Sequence, residues 1–221
     1  MASAQCASSP LRGLVAAIVV AISLVITPPS AAQGVPQLTV GHLTGDDRPV
    51  IDGKVDEAVW STEARYSTFT QQEPSEGQPA TERTDVWFSM DETNLYVAVV
   101  CYDTDPDGLV VSQSRRDANL GDTDSVQILL DTFNDGQNAF VFGTNPFGIE
   151  YDAQVMAEGQ TGGGGFRSGG FNLAWDADWT VSASPSERGW EAEFVIPLRT
   201  LRYEPGEERV WGVNVQRNIR R

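Results

Sequence analysis

Thr123-Asp124-Ser125-Val126-Gln127-Ile128-Leu129-Leu130-Asp131 is an apolar strand core with a carboxylate at each end. Such a strand can bury its aliphatic residues while presenting oxygen atoms at both rims of a sheet, where a polyhydroxylated ligand or a hard cation could be held. Outward from it the chain falls into further strand-like runs at 84–90, 95–102, 125–133, 139–144, 149–156, 179–183, 190–196 and 210–215. Turn signals separate them at 91–94, 105–108, 134–136, 145–148 and 187–189. Alternation is plain in Trp190-Glu191-Ala192-Glu193-Phe194-Val195-Ile196, and no amphipathic helix of ordinary length competes with the strands. The expectation is an all-β, antiparallel, jelly-roll-like sandwich with short helical turns at 56–60 and 197–201.

Other segments are less regular. One further strand is expected at 37–40, a loop at 71–80, and a mobile segment at 159–170, where Gly162-Gly163-Gly164-Gly165 leaves little side-chain area to offset ordering entropy. Upstream, Ile51-Asp52-Gly53-Lys54-Val55-Asp56-Glu57-Ala58-Val59-Trp60 joins a turn to one helical turn with acids near its start and Trp60 directed inward.

An apolar run at 14–26, preceded by Arg12 and followed by small residues up to Ala32, reads as a signal peptide, with the processed chain starting at Gln33. The division is then a leader at 1–32, an entry segment at 33–48 and one domain at 49–221. The product is expected to be exported, to the periplasm, the outer membrane or beyond. No later segment reaches the roughly 20 apolar residues of a membrane span, so the processed part is expected to be soluble. Cys101 is then left without a cysteine partner and suits core packing.

Acids outnumber bases 31 to 15, a net charge of -16, which argues against nucleic acid and suits neutral ligands or divalent cations. His42 is the single histidine, so neither a Ser-His-Asp triad nor a multi-histidine zinc site has its partners. The glycine run lacks the Gly-Lys-Ser or Gly-Lys-Thr ending of a phosphate loop.

Ile51-Asp52-Gly53 with Asp56-Glu57 and Trp60, Leu95-Tyr96-Val97, Asp124-Ser125-Val126 ending at Asp131, Gly189 through Ile196, and Trp211-Gly212-Val213-Asn214 follow one another in an order that resembles a family 9 carbohydrate-binding module. The version with Asn145-Pro146-Phe147-Gly148 and an Arg-rich finish resembles the N-terminal module of larger exported bacterial proteins with a β-rich, outer-membrane C-terminal region. The resemblance implies a β-sandwich that binds saccharides without hydrolysing them, sometimes with structural calcium, beside a polysaccharide-degrading enzyme. It also implies a ligand role for Gln127, whose amide can donate to and accept from hydroxyls. Where sugar-clasping members carry a tryptophan just before the Asp-Ser-Val motif, this chain has Leu120-Gly121-Asp122-Thr123. A second family tryptophan is expected beyond Arg221.

From the residues themselves, Asp117, Asp122 and Asp124 near Arg115 and Arg116 make either a saccharide-binding rim or Arg-Asp pairs that fix a loop. A paired-carboxylate glycosidase fits on residue type alone, but sequence cannot set the required separation. Trp175 is a candidate stacking platform, while Trp60, Trp87, Trp190 and Trp211 are expected in the core. Asp103, Asp105 and Asp107 open like an EF-hand loop, but Ser114 stands where the bidentate Glu belongs, which leaves a looser calcium turn or a solvated acidic turn. Two further readings compete with saccharide binding. One is a structural or interaction domain for a downstream β-barrel with a degenerate sugar site; the other is heme binding, for which His42, Met90 and Met156 are the available ligands.

Overall fold

The computed structural model describes residues 35–221 except 46, 161–168 and 207. The leader and the middle of the glycine segment lie outside the described residues. Residues Gln37–Arg221 form one compact unit of two sheets.

The first sheet contains β1 (Gly41–His42), β2 (Arg65–Tyr66), β3 (Thr84–Met90), β4 (Asn94–Tyr102), β9 (Thr180–Ser186) and β10 (Gly189–Pro197). Its order is β1-β3-β4-β10-β9, with β2 also on β3. The second sheet runs β11-β5-β6-β7-β8, with β5 at Ser125–Asp131, β6 at Ala139–Thr144, β7 at Tyr151–Gln160, β8 at Gly169–Asn172 and β11 at Gly212–Asn218. The pairings are antiparallel apart from β1 on β3, which is parallel.

The core lies between the sheets. Val86, Phe88, Val97, Val99 and Cys101 from one side meet Val126, Ile128, Leu130 and Phe142 from the other, and Trp190, Ala192, Phe194 and Ile196 complete it. Trp179 stacks on Phe194 at 5.8 Å, and Phe142 meets Trp179 edge-on.

A second apolar layer explains why 95–102 shows no alternation. Leu43, Val55 and Trp60 cover Trp87, Tyr96, Ala98 and Val100 on the outer face of the first sheet, so β4 is buried on both sides. The turn at Asp52-Gly53 and α1 (Ala58–Thr62) carry this cover. Two carboxylates of β10 hold it. Glu193, with no exposed surface, accepts at Oε2 from the backbone N–H of Asp52 and of Gly53, each at 3.2 Å, and at Oε1 from Trp60 Nε1 at 3.0 Å. Glu191 accepts from the Val55 N–H at 2.8 Å and pairs with Arg188, also at 2.8 Å. Gly53 sits at φ +86, and a Cβ there would lie 2.9 Å from the backbone of Ala183 on β9, so glycine alone lets the turn close against that edge.

Several sequence expectations shift. Residues 37–40 form no strand, and β1 begins just after them. The last strand is displaced from 210–215 to Gly212–Asn218, where it pairs along β5 from Asp131 to Ser125. Strand β7 runs on past the expected 156, and Gly169-Gly170 at the end of the expected mobile segment belong to β8. The two helical turns are found at α1 and at a 3-10 turn, Leu198–Thr200.

Candidate functional site

Strand parity decides what β5 shows to the outside. Val126, Ile128 and Leu130 enter the core, so Gln127 and Leu129 lie on the opposite face. Register then sets their neighbours. Gln216 on β11 pairs with Gln127, Gln127 with Gly143 on β6, and Gly143 with Tyr151 on β7. At about 4.8 Å per strand this row is roughly 14 Å long. Beside it run Asn214, Leu129, Val141 and Ala153 in the same manner. The outer face of the second sheet therefore has amides along one side, small residues in the middle and a tyrosine on the other.

One end of this face is roofed by the turn at Leu120–Asp122. Asn218 donates from Nδ2 to the carbonyls of Leu120 at 3.1 Å and Thr123 at 2.8 Å, and Ser125 Oγ donates to Leu120 O at 2.9 Å. Leu120 is 2 % exposed, and a Cβ on Gly143 would come within 2.6 Å of its Cδ1 and 3.0 Å of Gln127 Cγ. Glycine at 143 thus makes room for Leu120 to lie down on the sheet.

At the Tyr151 side stands Asp117, a non-glycine residue in the left-handed region at φ 56, whose N–H donates to Glu150 O at 3.0 Å. Aspartate tolerates that conformation better than most residues. Burial raises the Tyr151 phenol above its usual range and the Asp117 charge adds to it, which places that carboxylate near the ring. Arg116 reaches Glu150 at 2.5 Å, Asp152 at 2.7 Å, Asp176 at 2.6 Å and Asp117 at 3.6 Å. Burial works against its charge, but the four carboxylates outweigh that and raise its pKa. Asp152 is itself buried, accepts from the Ala177 N–H at 2.7 Å, and has its pKa raised chiefly by burial.

The six expected ligand-binding residues therefore separate. Arg116 and Asp117 meet in the carboxylate hub, and Gln127 lies on the face itself. Asp122 is on the roofing turn, accepting from Asn119 Nδ2 at 2.9 Å. Asp124 is 1 % exposed and spends its oxygens on the N–H groups of Val110 at 2.6 Å and Arg220 at 3.3 Å, so it fastens loops at the sandwich rim. Trp175 packs on Phe140 at 5.1 Å and Phe142 at 5.8 Å, closing the edge of the core instead of standing clear. Tyr151 and Gln216 carry no motif in the sequence, and Asn214 stands there only within Trp211-Gly212-Val213-Asn214. Parity could have flagged them, but only the register brings them beside Gln127.

The acidic turn does not converge. Asp103 is buried and pairs with Arg221 and, at 3.6 Å, with Arg217, while Asp105 and Asp107 are exposed. Among the described residues no group of three or more His, Cys, Asp and Glu side chains is arranged to hold a metal. Cys101 is buried and its thiol is pushed up to about 12 by burial, which leaves it inert as a nucleophile. Trp60, Trp87 and Trp190 are buried, the first two in the outer layer, and Trp211 packs half-buried on Tyr203 at 5.6 Å.

Comparison with known proteins bears on the whole domain. A family 9 carbohydrate-binding module from Caldicellulosiruptor kristjanssonii in complex with glucose is similar at 19% identity, covering 81% of this chain and 76% of its own, with a TM-score of 0.53. The same module in complex with cellotriose gives the same identity and TM-score, with 75% of that chain covered. A candidate carbohydrate-binding protein from Bacteroides uniformis shares 12% identity over 83% of this chain and 84% of that one, with a TM-score of 0.58. At such identities the likeness shows the fold. A search of curated proteins found no match. The family model for carbohydrate family 9 binding domain-like proteins matches residues 51–220, from the Asp52-Gly53 turn to the end of β11 and just beyond, and the chain belongs to that family.

Proposed function

We propose that this chain is an exported, non-catalytic module that binds a neutral saccharide on the outer face of its second sheet. The observation that carries the reading is the row Gln216, Gln127, Gly143, Tyr151, in which part-exposed amides stand on one side of the buried Gly143 and a part-exposed aromatic ring on the other. Amides donate to and accept from hydroxyls, and a phenol ring offers an apolar contact to sugar C-H groups. The glucose and cellotriose complexes of the Caldicellulosiruptor module support a glucan as ligand. With Leu120 lying flat where an upright ring would clasp the sugar, affinity is expected to be weak, in the millimolar range, about -4 kcal/mol. Association with polysaccharide breakdown or uptake, through a longer protein, follows from the same reading.

Isothermal titration with glucose, cellobiose, cellotriose and xylo-oligosaccharides tests it. Heat from at least one glucan in wild type, lost in Tyr151→Ala, supports the proposal. Silence across the panel, with calcium present, favours the second reading, an interaction domain for a β-barrel, which the closed Leu120 roof motivates.

A further inference from the structure

We propose that residues 50–60 are held on the first sheet by a proton-sensitive latch, the buried Glu193 carboxyl, and that this segment loosens as Glu193 loses its proton. The geometry is that of a buried acid without a counter-cation. Glu193 has no exposed surface, and the donors converging on it are the N–H groups of Asp52 and Gly53 and the indole of Trp60. Among the described residues it has no ion pair, whereas Glu191, two positions earlier on the same face, has Arg188. Glu57 accepts at Oε1 from the Val50 N–H at 3.0 Å, and its Oε2 is buried with no hydrogen-bond partner. Glu193 is thus a buried acid among neutral N–H donors with no cation beside it, and the Glu57 charge acts on it from the same cover, so a proton is its cheapest counter-charge.

The other charges around the latch are accounted for. Directly across from Glu193, β4 presents Ala98 and β9 presents Ser182. Further along the sheet, Asp85 on β3 is neutralised by Arg83 at 2.5 Å and Arg65 at 3.5 Å. In the cover itself Asp52, Lys54 and Asp56 are exposed.

Burial, with the Glu57 charge adding to it and the three N–H donors opposing, raises Glu193 to about 7, whereas Arg188 and the Val55 N–H outweigh burial at Glu191 and lower its pKa. The sign follows. A carboxyl whose folded pKa lies above its free value stabilises the closed segment fully below the ordinary glutamate range. That contribution declines as pH rises and is gone above about 7.

Lys54 is the single lysine in the chain, so a lysine-specific endoprotease cuts the full-length protein once, inside the latch. In the closed state the N–H groups of Gly53, Lys54 and Val55 are all bound, so cleavage requires local opening. The cleavage rate, divided at each pH by that of a free peptide spanning 50–60, is expected to rise about tenfold per pH unit between about pH 5.5 and 6.5 and to level off above about 7. Glu193→Gln is expected to flatten the profile. A flat wild-type profile, or a rise unchanged in Glu193→Gln, overturns the proposal. Should that variant not fold, Glu57→Gln removes the like charge and is expected to move the rise to lower pH; an unmoved rise overturns the proposal equally.

Discussion

The two sheets of this sandwich present opposite outer faces. That of the first sheet is sealed, with Trp87, Tyr96, Ala98 and Val100 under Leu43, Val55 and Trp60, and two buried glutamates fasten the seal. That of the second sheet carries Gln127, Leu129, Asn214, Gln216 and Tyr151, none of them buried, around Gly143, Val141 and Ala153, which are buried. The sealed face makes stability, and the part-exposed side chains around the buried centre of the other make recognition available. The same alternating β-strand serves both, because what matters is not the polarity of the outward residues but whether a second segment of chain arrives to bond them.

The largest effect that would break this contrast is removal of the seal's central ring. Trp60→Ala deletes a buried indole and leaves Glu193 with one donor fewer, and is expected to cost about 3–5 kcal/mol. For a domain of this size that lowers Tm by roughly 10 °C, since each kcal/mol is worth about 2–4 °C. Thermal unfolding followed by near-ultraviolet dichroism reads it. A loss below about 1 kcal/mol would mean that the cover adds nothing to the fold and that the two faces are equivalent in energy.

How much of this was legible in the residues differs between the faces. The ends of β3 and β6 are legible because Asp91 through Asn94 and Asn145 through Gly148, directly after them, are strong turn signals. The pattern Trp190 to Ile196 gave the strand but hid its meaning, since Glu191 and Glu193 alternate as they would if they faced water. Their partners lie far off in sequence; Gly53 and Glu193 are 140 positions apart. No local pattern connects them, and the ordered family motifs joined them only by resemblance. On the open face Gln127 was found through its neighbours in the Asp-Ser-Val motif. Gln216 was missed because the expected strand at 210–215 stopped short of it, and a strand's true end is set by the length of β5 it must pair with.

A middle-sized effect probes the join between the roof and the open face. Gly143→Ala puts a methyl 2.6 Å from Leu120 Cδ1 and 3.0 Å from Gln127 Cγ. The leucine tip can rotate away, so the cost is expected at the low end for overpacking, about 1–2 kcal/mol. Adding Leu120→Val should return part of it, and a double-mutant cycle by urea denaturation measures the coupling. Strict additivity would show that Leu120 does not rest on Gly143.

The smallest expected effect on stability is also the most telling for recognition. Gln127→Ala removes an outward amide that no core contact needs, so unfolding free energy should stay within about 0.5 kcal/mol. Binding of a responding glucan should weaken by about threefold to tenfold, the worth of one or two hydrogen bonds to neutral hydroxyls. Trp60→Ala, measured at a temperature where it is still folded, should do the reverse, leaving affinity nearly unchanged because its layer lies on the other side of the core. If instead Gln127→Ala were silent in binding and Trp60→Ala abolished it, recognition would belong to the covered face, and the division of labour between the two sheets would have to be inverted.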